Sequence, residues 1–368
     1  MFIKPRFKTL VIFISVLTTG YIWSDIPESN ERSPKTAERP MRAELVMKIG
    51  SDKENEDFFN PRGFAVDQNG RIFVLDTGNS RIQCFSRDGK YQFSFGRRGQ
   101  GPGELSQDAL NIRILEDGNI YVIDNPQHRI NVYSSEGQFM RSGKTAEYYD
   151  DIVLTNGTYY LSSILLKENH KPISVSRPLG KIVCSFGFLV EPAIGLIKEI
   201  ENLPNPEAWT SFYRSCNFTN IIADRNGEII SSQEFPYRLI KYNSEGRVLK
   251  DVLPETGFDT YGHVHFTVKK DDVSVDGPKL ARVLDMSKKG SDQLVVPFLN
   301  PEKNLFFIDI YDLDLNLQAR HKMPNTFVDD TTEESLLQVI IDNSGSLYGL
   351  ILSEEGPARV AKFRLIYD

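Results

Sequence analysis

Short runs of β-branched and aromatic residues alternate with polar turns along most of the chain. Residues 64–96, for example, read FAVDQNGRIFVLDTGNSRIQCFSRDGKYQFSFG. The apolar runs are separated by turns such as DQNG and RDGK, in which glycine accepts a positive φ. This pattern predicts four short antiparallel strands joined by tight turns.

The same unit recurs along the chain. Residues 112–137 align with the first copy without a gap, and residues 221–246 form a third copy. Weaker copies cover 152–187, 281–320 and 339–363, which makes six units. Their first-turn glycines are Gly70, Gly118, Gly157, Gly227, Gly290 and Gly345. One four-stranded sheet cannot bury both of its faces, so six such units predict an all-β fold, a six-bladed β-propeller with four antiparallel strands per blade.

The two ends of the repeat region predict how the ring closes. The last unit runs out at Asp368 after three strands, while the strand-like segment 44–50 (ELVMKIG) precedes the first blade without a partner. Pairing the two removes an open junction. We therefore expect the N-terminal strand to be the outermost strand of blade six.

The N-terminus has the features of an export segment. Three basic residues, Lys4, Arg6 and Lys8, precede the mostly apolar run 10–23 (LVIFISVLTTGYIW). This run is short for a membrane span, so residues 1–24 are interpreted as a signal peptide, with an uncleaved membrane anchor as the alternative. Residues 25–43 contain three prolines and mixed charge, which predicts a flexible tether before the propeller of residues 44–368. The predicted location is periplasmic, extracellular, or anchored on the outer side of the membrane, with membrane contact only through residues 1–24.

Composition narrows the possible functions. The chain is 40% hydrophobic and 25% charged, as in an ordinary folded protein, and its net charge of -7 argues against nucleic-acid binding through bulk electrostatics. Three cysteines are too few for a disulfide scaffold or a zinc site of four thiolates. Cys84 and Cys184 lie among apolar neighbours in predicted strands, so both are expected to be buried without forming a disulfide.

Two segments resemble known propeller sequences. The run NPRGFAVDQNGRIFVLDTGNSRIQCFSRDG (60–89) resembles an NHL repeat. The segment FGRRGQGPGEL (95–105) resembles the linker of exported bacterial six-bladed β-propeller proteins of uncharacterised function. The resemblance implies the fold and an exported location. It implies no reaction, because this fold hosts binding proteins, lyases and lactonases alike.

Loops between strands two and three, and loops between blades, share one side of a propeller, which we call the loop face. The opposite side, with the turns between strands one and two and between strands three and four, is the turn face. Loops of a rigid scaffold often carry function. The loop face is predicted to contain segments 76–81, 96–110, 124–129, 187–215, 232–238 and 252–280.

The candidate binding residues come from these loops and from the channel mouth. Arg97 and Arg98 lie in a glycine-rich loop that could hold an anion, although a plain crossing between blades is the simpler interpretation. Aromatic residues and an arginine in the insert 188–215 are typical of a binding surface, and a small satellite core is an equal alternative. The full candidate set is Arg97, Arg98, Arg113, His128, Tyr149, Asp150, Trp209, Tyr213, Arg214, His263 and His265.

The repeated Asp–Arg pairs have a structural interpretation. Asp76 and Arg81 recur as Asp124 and Arg129 at the same spacing. Repetition at equivalent positions favours an arginine that ties each hairpin to a neighbouring backbone or carboxylate.

Two metal sites are weighed as alternatives to a site without a cofactor. His263 and His265 would lie on one side of a strand, with His128 as a third zinc ligand. Asp150, Asp151, Asn217 and Asn220 could direct oxygen ligands at Ca²⁺ in the channel, although Arg113 is expected to enter the same space. No cofactor is predicted, with Ca²⁺ or Zn²⁺ in the channel as the alternative.

The sequence thus favours an exported, non-enzymatic binding module that recognises a ligand or an envelope or extracellular protein at the channel mouth. One alternative is a metal-dependent lyase or lactonase of the six-bladed type. The other is a scaffold subunit of an envelope complex.

Overall fold

The computed structural model describes residues 36–50, 57–163, 171–187, 219–233, 237–255, 283–300, 303–327, 334–353 and 357–367. It describes the backbone alone for residues 11–12, 30–32, 265–269, 272–276 and 282. The candidate residues Trp209, Tyr213, Arg214 and His263, and most of the inserts 188–215 and 252–280, lie outside the described residues.

The strands form six antiparallel blades in chain order, as predicted. Blade one contains Gly63–Val66, Ile72–Asp76, Arg81–Phe85 and Tyr91–Phe95, and blade two contains Asn111–Ile114, Ile120–Asp124, Arg129–Tyr133 and Phe139–Lys144. Blade three contains Asp151–Thr155, Thr158–Ser162, Ile173–Ser176 and Ile182–Phe186, and blade four contains Thr219–Ala223, Ile229–Gln233, Arg238–Tyr242 and Val248–Leu253. Blade five contains Arg282–Val283 with Ser287–Lys289 as an interrupted innermost strand, then Gln293–Asn300, Leu305–Asp312 and Leu317–Pro324. Blade six contains Glu334–Ile341, Ser346–Ser353, Arg359–Tyr367 and the N-terminal strand Glu38–Ile49.

The hydrophobic core is divided among the junctions between blades. Six apolar clusters are present, and each combines side chains from two adjacent blades: one with two, two with three, three with four, four with five, five with six, and six with one. Side chains alternate between the two faces of a strand, so every blade presents an apolar face to each neighbour. Because the clusters return from blade six to blade one, the described blades form a closed ring.

Six glycines mark the same turn in every blade. The first-turn glycines at positions 70, 118, 157, 227, 290 and 345 all have φ between +66° and +81°. This conformation is strained for residues with a Cβ. The repeat register predicted from the sequence is therefore confirmed, including its most diverged member at Gly290.

The N-terminal strand closes the ring as predicted. Residues Met41–Ile49 pair antiparallel with Val360–Tyr367, the third strand of blade six. The strand begins earlier than expected, because Glu38–Pro40 also run parallel to Arg320–Lys322 of blade five and Lys322 Nζ donates to Glu38 Oε2 at 2.5 Å. Residues 38–43 are thus paired strand, and the prediction that they belong to a flexible tether was wrong.

Four shorter strands of the described chain lie outside the blades. Asn30–Arg32 run parallel to the outer strand of blade four. Val11–Ile12 pair with the hairpin of His265–Lys269 and Asp272–Asp276. In the described part of the chain, no helix is long and apolar enough to span a bilayer.

The two described cysteines differ in burial. Cys84 is buried, as predicted, and desolvation raises the pKa of its thiol to about 12. Cys184 is exposed, so the prediction that it is buried was wrong. It lies on the outermost strand of blade three, where the three consecutive residues 182–184 are all exposed.

Candidate functional site

Polar side chains from the innermost strands meet at the centre of the ring. We call this set the central layer. It consists of Asn111, Arg113, Asp151, Asn220, Asp285 and Gln338, from blades two to six. Blade one contributes backbone and the small Gly63, where a Cβ would lie 3.5 Å from both Asn111 Oδ1 and Gln338 Oε1.

Arg113 connects two carboxylates across the axis. Its Nε and Nη2 donate to Asp151 at 2.6 and 3.1 Å, and its Nη1 and Nη2 donate to Asp285 at 2.8 and 3.1 Å. Nη2 also lies 3.5 Å from Asn220 Oδ1. Two-pronged pairing of a guanidinium with a carboxylate is a strong and directional interaction, and here it occurs twice.

Further hydrogen bonds extend the central layer to all six blades. Gln338 Nε2 donates to Asp285 at 2.9 Å, while its Oε1 accepts from the Phe64 N–H of blade one at 2.9 Å. Asn111 Nδ2 donates to the carbonyl of Asp150 at 2.7 Å. Because each blade takes part, the central layer holds the inner ends of the blades in register.

The charges of the central layer are almost completely withdrawn from water. The side chain of Arg113 is 17% exposed, and those of Asp151 and Asp285 are 1% and 3% exposed. Desolvation lowers the pKa of Arg113, but the two adjacent carboxylates outweigh it and hold that pKa above its usual value. Burial raises the pKa of Asp151 against the opposing effect of Arg113. Both oxygens of Asp151 accept N–H donors, from Arg113, Ile152 and Ile221, so the geometry is that of a carboxylate.

The central layer bears directly on the proposed calcium alternative. Asp151 and Asn220, two of the suggested ligands, direct their oxygens at the guanidinium of Arg113. Asp150 is 2% exposed, and Asn217 lies outside the described residues. The described residues contain no group of three or more His, Cys, Asp or Glu side chains arranged to hold a metal ion. A divalent cation at this position would have to displace Arg113.

The glycine-rich loop supplies its own anion. Glu104 accepts the Gly101 N–H at 2.7 Å and Arg97 Nε at 2.8 Å, and these donors lower the pKa of Glu104. A Cβ on Gly99 would lie only 1.9 Å from Glu104 Oε2, so the glycine makes room for this carboxylate. Arg98 in the same loop is exposed. The anion site that was the alternative for this loop is therefore filled by a side chain of the loop itself.

The two repeated Asp–Arg pairs have different hydrogen-bond partners. Asp76 accepts Arg81 Nε at 2.7 Å and the Phe59 N–H at 2.7 Å. Asp124 instead accepts the N–H and hydroxyl of Ser106 at 3.0 and 2.5 Å. Arg129 donates to the carbonyls of Gln100 and Glu104, at 3.0 and 2.5 Å. In both blades, the aspartate fixes the chain segment that enters the blade.

The sequence interpretation missed a buried polar cluster between blades four and five. Arg320 Nε and Nη2 each donate to Asp309 at 2.7 Å, and the hydroxyls of Tyr237 and Tyr311 donate to the same carboxylate at 3.2 Å. A second buried pair joins Arg238 and Asp251 within blade four. The signal was Asp309, the one acid inside the apolar run FFIDIY (306–311), which the divergence of blade five obscured.

The remaining candidates differ in accessibility. His128 is exposed on the loop face, with its ring centroid 5.3 Å from that of Tyr148. Tyr149, for which the channel mouth and simple packing were both open, is only 1% exposed, because it packs between blades two and three. His265 lies in the strand His265–Lys269, of which only the backbone is described.

One loop-face residue was not anticipated from the sequence. Phe59 is 65% exposed in the segment that enters blade one. Its ring lies against Gly78, where a Cβ would approach it to 2.2 Å. The exposed or partly exposed loop-face side chains of blades one to three thus include Phe59, Arg97, Arg98, His128 and Tyr148.

Comparison with known proteins agrees with this architecture. A family model described as a 6-bladed beta-propeller matches residues 65–171, less than a third of the chain. Human tripartite motif-containing protein 2 is 33% identical over 70 residues, and the Drosophila melanogaster protein brain tumor is 42% identical over 48 residues. These segments span 9% and 5% of the length of those proteins, so each match covers a small piece of a longer relative.

Solved structures match over most of the chain. A DUF4221 family member from Bacteroides vulgatus aligns with a TM-score of 0.57 at 10% identity, over 90% of this chain and 100% of that one. A Bacteroides fragilis protein described as exported aligns with a TM-score of 0.54 at 12% identity, over 92% and 98%. A streptogramin B lyase aligns with a TM-score of 0.50 at 11% identity, over 89% and 98%. At these identities the likeness extends to the fold alone, and together with the closed cycle of blades it identifies this chain as a six-bladed β-propeller.

Proposed function

We propose that this protein is an exported binding module that recognises a ligand or an envelope protein with its loop face, above the channel mouth. The observation that carries the proposal is the contrast between the channel and the loops. The channel charges are engaged with one another in the central layer, whereas aromatic and cationic side chains on the loop face are exposed. Exposed aromatics with arginine are typical of recognition surfaces.

The central layer favours binding over chemistry in the channel. A general base or a metal ligand needs an oxygen or nitrogen that is free to meet its substrate or ion. Asp151 and Asp285 each accept a two-pronged interaction from Arg113 together with backbone N–H donors. Their engagement supports a structural role for them, and this favours recognition by the surface loops over chemistry in the channel.

Export is part of the same proposal. The basic and apolar segment 1–24 supports it, as does the similarity in fold to a Bacteroides protein described as exported. The inserts 188–215 and 252–280 remain predicted extensions of the same face. A scaffold role in an envelope complex would use this surface as well, with a permanent rather than a transient partner.

Site-specific photo-crosslinking tests which face binds. A photoreactive amino acid placed at His128 or Arg98 samples the loop face, and the same amino acid at Asp88 or Glu116 samples the turn face with similar exposure. In cells that express the chain, we expect a defined crosslinked species from the loop-face positions and none from the turn-face controls. Equal crosslinking from both faces, or crosslinking only from the turn face, would contradict the proposal.

Metal analysis separates the enzyme alternative from the proposed role. A stoichiometric Ca²⁺ or Zn²⁺ ion in the purified protein, lost in an Asp151→Asn variant, would support a lyase or lactonase with a metal in the channel. Under the proposed function, Asp151→Asn changes stability and leaves the metal content of the protein unchanged.

A further inference from the structure

A polar cavity lies on the turn face, away from the loop face and the central layer. Its volume is about 470 Å³, and it opens between the hairpin turns of blades three and four. The residues that matter for its chemistry are Thr155, Asn156, Thr158, Tyr160, Arg177 and Asn226.

The cavity exists because blade three has a shorter first turn than its neighbours. Thr155 pairs directly with Thr158, so only two residues form this turn. In the neighbouring blades two and four, the equivalent strands pair through Ile114 and Ile120 and through Ala223 and Ile229, with longer turns between them. The turn of blade four approaches closely from the other side, since a Cβ on Gly227 would lie 2.5 Å from Asn156 Nδ2. The short turn leaves space beside Arg177, and the neighbouring blade encloses it.

Arg177 is the charged group of this cavity. Its Nε donates to Thr158 Oγ1 at 2.7 Å, and Thr158 is itself only 4% exposed. Tyr160, 2% exposed, lies on the same wall. No acid among the described residues forms an ion pair with Arg177, in contrast to Arg113. The guanidinium is therefore oriented by the buried Thr158 hydroxyl and also interacts with the Tyr160 hydroxyl, while no acid of the described residues pairs with its charge.

The rest of the wall offers neutral hydrogen-bonding groups. Hydroxyls of Thr155 and Tyr160 and the amides of Asn156 and Asn226 line the space. Amides and hydroxyls both donate and accept, so they match the hydroxyl groups of a sugar. A planar guanidinium matches a carboxylate through two parallel hydrogen bonds. The volume lies within the usual range of small-molecule sites, roughly 300–1,000 Å³.

We propose that this cavity binds a carboxylated sugar, with the carboxylate on Arg177 and the ring hydroxyls on the threonine and asparagine side chains. The site is separate from the loop face. A variant that loses sugar binding in the cavity should still give the crosslinked species on the loop face. A failure to crosslink on the loop face would likewise leave sugar binding in the cavity unchanged.

The test is a ligand-observed NMR titration of the purified chain with three probes: glucuronate, glucose and acetate. Glucuronate carries both the carboxylate and the hydroxyls, whereas each of the other two carries only one of these features. We expect glucuronate to bind at least tenfold more tightly than glucose or acetate. Equal binding of glucuronate and glucose, or no binding of glucuronate at millimolar concentrations, would overturn the proposal.

Matched variants locate the binding. Arg177→Gln should remove the preference for glucuronate over glucose, and Thr158→Val should weaken glucuronate binding because it frees the guanidinium from its orienting hydroxyl. The control is Arg87→Gln, which makes the same substitution in the corresponding outer turn of blade one, outside the cavity. Unchanged glucuronate binding in Arg177→Gln, or equal loss in Arg87→Gln, would contradict the assignment of the site.

Discussion

Two arginines on different parts of the ring are held in opposite ways. Arg113 donates to two buried carboxylates and an amide at the axis, so its charge is compensated within the fold. Arg177, at the turn face, donates to a threonine hydroxyl and has no acidic partner among the described residues. The difference suggests a rule for this scaffold: compensated charges hold blades together, and a cation without an acid marks a place for a ligand.

The largest expected effect comes from removing the compensated cation. Arg113→Met leaves Asp151 and Asp285 buried without a counter-charge, which typically costs about 3–5 kcal/mol of unfolding free energy. Chemical denaturation of the variant and of the unchanged protein measures this loss. A loss below about 1 kcal/mol would place Arg113 outside the stabilising network.

Removing a buried acid that has one charged partner should cost less. Asp76 is fully buried, and Asp76→Ala leaves Arg81 Nε and the Phe59 N–H without their acceptor. We expect a loss of about 2–3 kcal/mol, from the unsatisfied donors, in the same denaturation experiment. The matched control is Asp88→Ala, an exposed aspartate in an outer turn of the same blade, for which we expect a change within about 0.5 kcal/mol.

The uncompensated arginine should matter little for stability. Arg177 is exposed, so Arg177→Gln is expected to change the unfolding free energy by no more than about 0.5 kcal/mol. Together with the loss of glucuronate preference, this result would separate a binding role from a structural one. A destabilisation as large as that of Arg113→Met would abolish the contrast between the two arginines.

The smallest expected effect is a pH dependence at the ring closure. His321 is 7% exposed, and its pKa is lowered by desolvation first and then by Arg39 and Lys289, with Asp309 opposing. Its ring packs against Tyr367 at 4.5 Å. Because the folded state binds the proton less readily than the unfolded state, the contribution of His321 to stability is present above about pH 6.5 and declines below it.

Thermal unfolding of the His321→Asn variant measures this contribution. The fall in midpoint between about pH 7.5 and pH 5.5 should be smaller in the variant than in the unchanged protein, because the variant lacks the titrating group. An equal fall in the two proteins would show that other groups account for the pH dependence.

The repeat architecture could be predicted from the sequence because its signals are local. A turn glycine at a fixed position, with an apolar strand on each side of it, is visible within one blade. The repeat could therefore be aligned correctly even in the diverged blade that contains Gly290. The closing strand followed from counting unpaired strands at the two ends. These inferences require no knowledge of which residues contact each other across the ring.

The sites depended on contacts that a single sequence does not reveal. Arg113 and Asp285 are 172 residues apart, and Tyr237 reaches Asp309 across 72. The burial of Cys184 was predicted wrongly because an outermost strand has the same apolar sequence pattern as an inner strand. The outermost strand, however, pairs with only one other strand of its blade and is exposed to solvent. The cavity beside Arg177 depends on the length of one turn relative to the turn next to it, which becomes meaningful only once the blades are placed side by side.

A double-mutant cycle across the axis tests the central claim most directly. The unfolding free energies of Arg113→Met, Asp285→Asn and the double variant give the coupling between the two side chains. If the central layer joins the blades through these charges, the two losses are non-additive by about 1–3 kcal/mol. Losses that add to within about 0.5 kcal/mol would mean that Arg113 and Asp285 act independently, and the account of a charge-compensated channel would be wrong.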